Sequence, residues 1–198
     1  MEIEQNNELD ETDSLLESIG WHVIDTYFKD NPNCLVQHQL DSYNDFMQDG
    51  LKSIFKEKNP VILLKEEIPN TKKYRNQCRL YLGGKEGNKI YYGKPTIYDD
   101  DKTHFMFPNE ARLRNMTYGI SIHYDVDIEY TILGDEDENI ETRVEELKKV
   151  YLGRFPIMLM SNQCILNGLT PQARFNMGEC KNDRGGYFII DGKEKVII

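Results

Sequence analysis

No apolar run among the 198 residues approaches the roughly 20 consecutive apolar residues that a membrane-spanning helix needs. The amino terminus, MEIEQNNELDETDSLLESIG, lacks the positive charge and apolar stretch of a signal peptide, so secretion is not expected. The four cysteines, Cys34, Cys78, Cys164 and Cys180, form no Cys-x-x-Cys pair. That spacing favours neither a zinc site nor a disulfide framework, and reduced cysteines inside a cell are the ordinary reading. There is no positive excess either. The formal net charge is -10, whereas a freestanding nucleic-acid binder is more often basic because phosphate neutralisation carries much of its affinity. If the chain works on DNA or RNA, it is expected to do so within something larger. Nucleophile-elbow, His-Glu-x-x-His and dinucleotide fingerprints are absent as well.

What is present reads as a folded globular protein, with 39% hydrophobic, 11% aromatic and 29% charged residues. Residues 1–18 are acid-rich and predict a mobile tail. From Trp21 the spacing of Ile24, Tyr27 and Phe28 predicts a helix, closed by Asn31-Pro32. Leu35, Leu40, Tyr43, Phe46, Met47, Leu51, Ile54 and Phe55 form a second helical stripe, with a kink or break expected at Gly50 and an end at Asn59-Pro60. Beyond Pro60, stretches rich in β-branched residues and tyrosine predict strands. LGGKEGNK reads as a hairpin loop, PNEARLRN as a short helix with Leu113 on its apolar side, and GRFPIMLMS as a buried strand opened by Pro156. GDEDENIETRVEEL predicts a solvated loop leading into a helical or extended connector. The carboxyl-terminal GYFIIDGKEKVII predicts a hairpin with a type I′ turn at Asp191-Gly192. The fold class is α+β: N-terminal helices, then mostly antiparallel strands.

Candidate chemistry is sparse. Asp125, Asp127 and Glu129 in DVDIEY share one face of a strand and could hold magnesium for phosphoryl chemistry. The same alternation is more commonly the wet face of an antiparallel strand. Gly83-Gly84-Lys85 lacks the rest of a phosphate-binding loop. The histidines are dispersed. Lys72, Lys73, Arg75 and Arg79 form a basic cluster that could touch a phosphate backbone, although such clusters are more often solvated faces. Gly185-Gly186 suits a crowded strand entry, and Arg112 and Arg114 lie two apart on the short helix, so that at least one could pair with Glu110 or another carboxylate.

LVQHQLDSYNDFM, MFPNEARLRNMTY, GRFPIMLMSNQC and ECKNDRGGYFIIDGKEKVII occur in one order along the chain. In that order and spacing they resemble the start of the second-largest, β-type subunit of multisubunit DNA-directed RNA polymerases, of the eukaryotic, archaeal and large-DNA-virus style. The resemblance runs from about Trp21 to Ile198 and implies that residues 19–198 are the N-terminal part of the protrusion domain. It further implies that the final strand continues into a longer chain, an apparent truncation. The implied activity is nucleotidyl transfer by the whole enzyme, with this segment architectural, lining the DNA cleft and inactive alone. Implied partners are the largest and other polymerase subunits, the DNA template and the RNA–DNA hybrid, with no membrane.

By the same resemblance, magnesium serves the assembled polymerase through ligands outside this segment, and zinc is possible downstream; no metal and no catalytic residue is expected here. The implied location is intracellular: the nucleus, or host cytoplasm and virion for a virus. Lys193 and Lys195 resemble the part leading toward the hybrid, and with Lys72, Lys73 and Arg75 they are the residues expected near nucleic acid. Met160 and Gln37 stand where the family often carries a basic residue, which weakens phosphate contact there. A standalone, non-catalytic protrusion-like module binding transcription proteins is the alternative; an independent metal-dependent enzyme built on DVDIEY is a third.

Overall fold

The computed structural model describes residues 2–67, 74–99, 101–133 and 140–197. It divides into two compact units, residues 1–38 and 39–198.

The first unit is dominated by helix α1, Glu2–Asp30. The acidic stretch expected to be a mobile tail is part of this helix, consistent with its content of Glu and Leu, both good helix formers. Trp21, Ile24, Tyr27 and Phe28 lie on it at the expected spacing but are exposed. The helix ends where Asn31 folds back, its backbone N–H and its side-chain amide both donating to the Tyr27 carbonyl, with Pro32 next in the chain.

The second unit begins within α2, Gln37–Asp45, and continues through a π-helical turn, Phe46–Gly50, into α3, Leu51–Lys58. Gly50 keeps right-handed helical angles (φ -60°, ψ -46°), so the chain stays helical there, and the irregularity expected at this glycine takes the form of the π turn that it ends. The Leu51 N–H reaches five residues back to the Phe46 carbonyl, and the wider turn keeps Tyr43, Met47, Leu51 and Phe55 all buried. Leu35 and Ile54, read as part of the same stripe, are exposed. Phe46 stacks on Phe155 at 5.6 Å between ring centroids, and Tyr43 meets Phe188 edge-on at 5.7 Å. Of these four rings Tyr43 and Phe188 are buried, and burying a large apolar side chain contributes about 1.5–3 kcal/mol by removing it from water.

The main sheet contains β1 (Val61–Glu67), β2 (Tyr74–Leu82), β3 (Ile90–Tyr92), β6 (Gly119–Leu133) and β7 (Ile140–Pro156). All pairings are antiparallel: β1 with β2, and β6 with each of β2, β3 and β7. β2 and β3 do not pair with each other. Asn76–Leu82 lie against Val126–Ile132, and Ile90–Tyr92 against Ile122–Tyr124, so both run along β6 in the same direction. The segment Gly83–Lys89, expected to be a hairpin loop, is therefore an excursion within one continuing edge. It is closed at its base by Gly83 N–H to the Asp125 carbonyl, Lys89 N–H to the Gly83 carbonyl and Asp125 N–H to the Lys89 carbonyl. Gly87 presses on α3 with φ of +69°, where a Cβ would lie 2.9 Å from the Lys52 carbonyl oxygen, so only glycine fits. Asn59 ties helix to sheet, its amide donating to the Leu82 and Gly84 carbonyls and accepting from Leu82 N–H.

The small sheets are β4 (Thr96–Asp99) with β5 (Lys102–Phe105), and β8 (Phe188–Ile190) with β9 (Lys193–Lys195). Helix α4, Pro108–Leu113, starts on Pro108 as expected, but Leu113 is 76% exposed, and Pro108 and Ala111 are the buried residues. Pro156 ends β7 rather than opening a strand. The segment after it is buried at Ile157, Met158 and Leu159 yet makes only a single bridge, Met158 to Phe188. Helix α5, Pro171–Asn176, is capped by the Thr170 hydroxyl, which accepts from Ala173 N–H. The terminal hairpin has the expected turn, with positive φ at both Asp191 (50°) and Gly192 (72°). Around it Tyr118, Ile120, Leu159 and Ile189 are almost wholly buried.

Candidate nucleic-acid interface

Two charged regions are built by this fold. The first is the face of β6 bearing Asp125, Asp127 and Glu129. Val126 and Ile128 turn the other way into an apolar cluster with Cys78, which is the alternation expected of a strand with one charged face. The three carboxylates do not converge on a common point. Asp125 sits at a bulge, where Tyr124 faces Val150 and Val126 faces Leu147. Its carboxylate accepts from the Lys149 backbone N–H at 2.8 Å and from the Tyr91 hydroxyl at 2.8 Å. Lys149 has φ of +52°, so Asp125 pins the extra residues of the bulge in place. That backbone donor, aided by Tyr91 and the nearby lysines, holds the Asp125 carboxyl below its ordinary range.

Asp127 and Glu129 are taken up by the Gly83–Lys89 excursion. Lys89 bridges Asp127 at 3.1 Å and Glu146 at 2.8 Å, while Lys85 pairs with Glu129, which also accepts from the Tyr81 hydroxyl. Lys85 first, then Tyr81, lowers the Glu129 carboxyl despite partial burial. Lysine ammonium groups thus stand where a cation would have to stand. These residues do not fit a magnesium ion, and among the described residues no group of three His, Cys, Asp or Glu has the arrangement of a metal site. Gly83-Gly84-Lys85, the fragment of a phosphate-loop pattern, serves the same clasp.

The basic cluster is only partly within view. Lys72 and Lys73 lie outside the described residues. Arg75 is exposed on β2, beside an irregularity in the pairing with β1. Arg79 lies opposite Glu129, so the basic cluster and the acidic triplet, read separately along the chain, meet across adjacent strands.

The second region surrounds the terminal hairpin. Lys193 and Lys195 are exposed on β9, and among the described residues neither makes an ion pair. Beneath them lies a constellation with no local sequence signal. Arg112 donates to Glu179 and to the Tyr187 hydroxyl, both at 2.7 Å, and to Glu194 at 3.0 Å. Arg114 takes the partner expected for this helix, Glu110, at 3.1 Å, and also Asp99. The Arg112 partners lie 67–82 residues away in sequence, which is why residue spacing could not find them. Burial opposes the charge on Arg112, but the Glu179 carboxylate outweighs it and holds the guanidinium firmly protonated.

The sequence pattern of the RNA polymerase beta subunit family matches residues 34–198. The chain is 35% identical over 196 residues to DNA-directed RNA polymerase II subunit RPB2 of Schizosaccharomyces pombe, covering 94% of this chain and 16% of that protein. It is 35% identical over 177 residues to DNA-directed RNA polymerase subunit Rpo2N of Methanocaldococcus jannaschii, covering 89% of this chain and 31% of that one. A probable RPB2 homolog from Invertebrate iridescent virus 6 is 35% identical over 172 residues, covering 83% and 14% respectively. The chain thus spans between about a seventh and a third of the length of these relatives.

Proposed function

The chain belongs to the RNA polymerase beta subunit family, and from that premise we propose that it is an architectural part of the second-largest subunit of a DNA-directed RNA polymerase, lining the DNA cleft. The observation that carries this reading is the extent of the family match, which takes in the whole of the compact unit 39–198. Residues 19–198 then form a protrusion-like region whose partners are the largest and other polymerase subunits, the DNA template and the RNA–DNA hybrid. Its setting is intracellular, in the nucleus or, for a viral enzyme, in host cytoplasm and virion.

Nucleotide addition in such an enzyme relies on metal ions that stabilise the attacking 3′-oxygen and the leaving pyrophosphate. The carboxylates of β6 are committed to lysines and backbone donors, so the metal ligands are sought elsewhere in the assembly. The chain's own contribution is shape and charge. Lys193 and Lys195, exposed and two apart on one strand, are the groups on the described surface we assign to nucleic-acid proximity, with Arg75 in a lesser role.

The test is purification of the native product carrying these residues, followed by identification of its partners and a nucleotide-incorporation assay. Recovery with a largest-subunit homologue and template-dependent RNA synthesis is the expected result. Recovery without polymerase subunits, bound instead to other transcription proteins, would overturn the reading in favour of a standalone binding module.

A further inference from the structure

Arg112 joins three segments that are remote in sequence. Nη1 donates to Glu179 Oε2 at 2.7 Å, Nη2 to the Tyr187 hydroxyl at 2.7 Å, and Nε to Glu194 Oε1 at 3.0 Å. The Glu179 side chain is only 2% exposed, and its other oxygen accepts from Asn109 N–H at 2.6 Å. One end of the fork is therefore fixed in the interior, by a carboxylate itself fixed to the start of α4. The guanidinium is planar, so a fork anchored on Glu179 and Tyr187 leaves Nε pointing in one direction. Glu194 on β9 lies in that direction.

A strand alternates its side chains between two faces. With Glu194 turned to Arg112, its neighbours Lys193 and Lys195 both turn to the opposite face, where both are exposed. The far end of the hairpin is held separately. Gly192 N–H donates to the Met116 carbonyl, and Asp191 N–H to the Thr117 hydroxyl at 3.1 Å. The turn fixes where the hairpin begins, and Arg112 fixes which way its second strand faces.

We propose that Arg112 is a positioning residue, whose fork to Glu179 and Glu194 turns β9 so that Lys193 and Lys195 are presented together to a polyanionic backbone. The anion-binding half of this statement rests on the function proposed above; the positioning half does not.

The test uses the native protein in the assembly it forms, comparing wild type with Glu194→Gln and Arg112→Lys. Amide hydrogen exchange over residues 188–195 reads the hairpin, and acetylation of Lys193 and Lys195 with and without a DNA–RNA hybrid duplex reads the presentation. Glu194 is 57% exposed at its side chain, so Glu194→Gln is expected to fold. It should speed exchange across the hairpin by about two- to fivefold, the range set by partly exposed ion pairs, while amides of β6 are unchanged. Hybrid protection of both lysines should fall together. Arg112→Lys keeps the charge but loses the fork, and it should exceed Glu194→Gln in both readouts. Unchanged exchange in both variants overturns the positioning role whatever the lysines do. Exchange that rises uniformly over the whole unit also overturns it, by reducing Arg112 to general stability. Wild-type lysines that the hybrid fails to protect overturn the nucleic-acid half alone, and the exchange data then still decide the positioning half.

Discussion

The charged face of β6 and the cluster around Arg112 solve opposite problems. On β6, three acids arrive together because a strand places every second residue on one face, and the fold must then supply cations to them. It does so with Lys85 and Lys89, carried by the Gly83–Lys89 excursion. Around Arg112 a single cation gathers acids from distant segments, one of them almost fully buried. The lysines of the first network are largely solvated, with Lys85 60% and Lys89 38% exposed at their side chains; the second has its anchor inside the protein. The same chemistry should therefore differ greatly in what its loss costs. Exposed ion pairs contribute little net stability, whereas removing one partner of a buried pair leaves an uncompensated charge.

The sharpest way to break the comparison is at Arg112. Arg112→Leu would leave the Glu179 carboxylate buried with only the Asn109 N–H as donor. The expected loss is about 3–5 kcal/mol of unfolding free energy, the usual cost of orphaning one member of a buried pair. Urea unfolding followed by circular dichroism measures it. Adding Glu179→Gln should recover a large part of the loss, because an amide needs no cation. A loss below about 1 kcal/mol for Arg112→Leu, the level of an exposed pair, would make the two networks equivalent and end the contrast.

Much of the fold was legible because it depends on local pattern. Leu40, Tyr43, Met47, Leu51 and Phe55 recur at helical spacing and are all buried. Asp191-Gly192 announces a turn needing two positive φ angles, and both are present. What local pattern cannot supply is the identity of a partner. Alternation marks β2 and β3 as strands but says nothing of their sharing one edge of β6, so Gly83–Lys89 reads as a hairpin loop. The π turn at Phe46–Gly50 keeps the apolar stripe in register; Gly50 signals an irregularity at that place, but not that it would be a widened turn. Leu113 occupies an apolar-looking position on α4, yet α4 turns Pro108 and Ala111 inward instead. The acidic triplet was visible and its strand alternation is present, but the face is not the wet one expected: Asp125 is buried, and Asp127 and Glu129 are only 16% and 13% exposed beneath Lys89 and Lys85. Its lysine partners lie 38 to 44 residues earlier in the chain (127 − 89 and 129 − 85), beyond any spacing rule. The Arg112 cluster was illegible for the same reason.

Asp125 is intermediate between the two networks, since its partner is a backbone N–H at a bulge rather than a lysine. Asp125→Ala should cost about 1–3 kcal/mol by leaving the Lys149 N–H without its acceptor. The pH dependence has a defined sign. The folded protein holds Asp125, chiefly through that N–H, and Glu129, chiefly through Lys85, below their ordinary values near 3.8 and 4.5. Groups depressed on folding add stability above their unfolded pKa and lose it as pH falls through the folded value. Stability should therefore change little between about pH 7 and pH 5 on account of these groups, then drop below about pH 4. Asp125→Asn should flatten that acid limb. An acid limb as steep in Asp125→Asn as in wild type would assign the acid sensitivity to other carboxylates.

The smallest effect should come from the lysines themselves. Lys85→Ala leaves Glu129 with the Tyr81 hydroxyl and removes a lysine that is itself 60% exposed, so the melting temperature should move little. Raising the salt concentration to about 1 M, where the screening length is about 3 Å, should shrink even that difference toward zero. It should leave the Arg112→Leu deficit nearly intact, because solvent ions do not reach Glu179. Melting curves of both variants against wild type at low and high salt give the comparison directly. If salt erased both deficits alike, the Arg112 cluster would behave as a surface network, and its capacity to hold β9 in one orientation would fail with it.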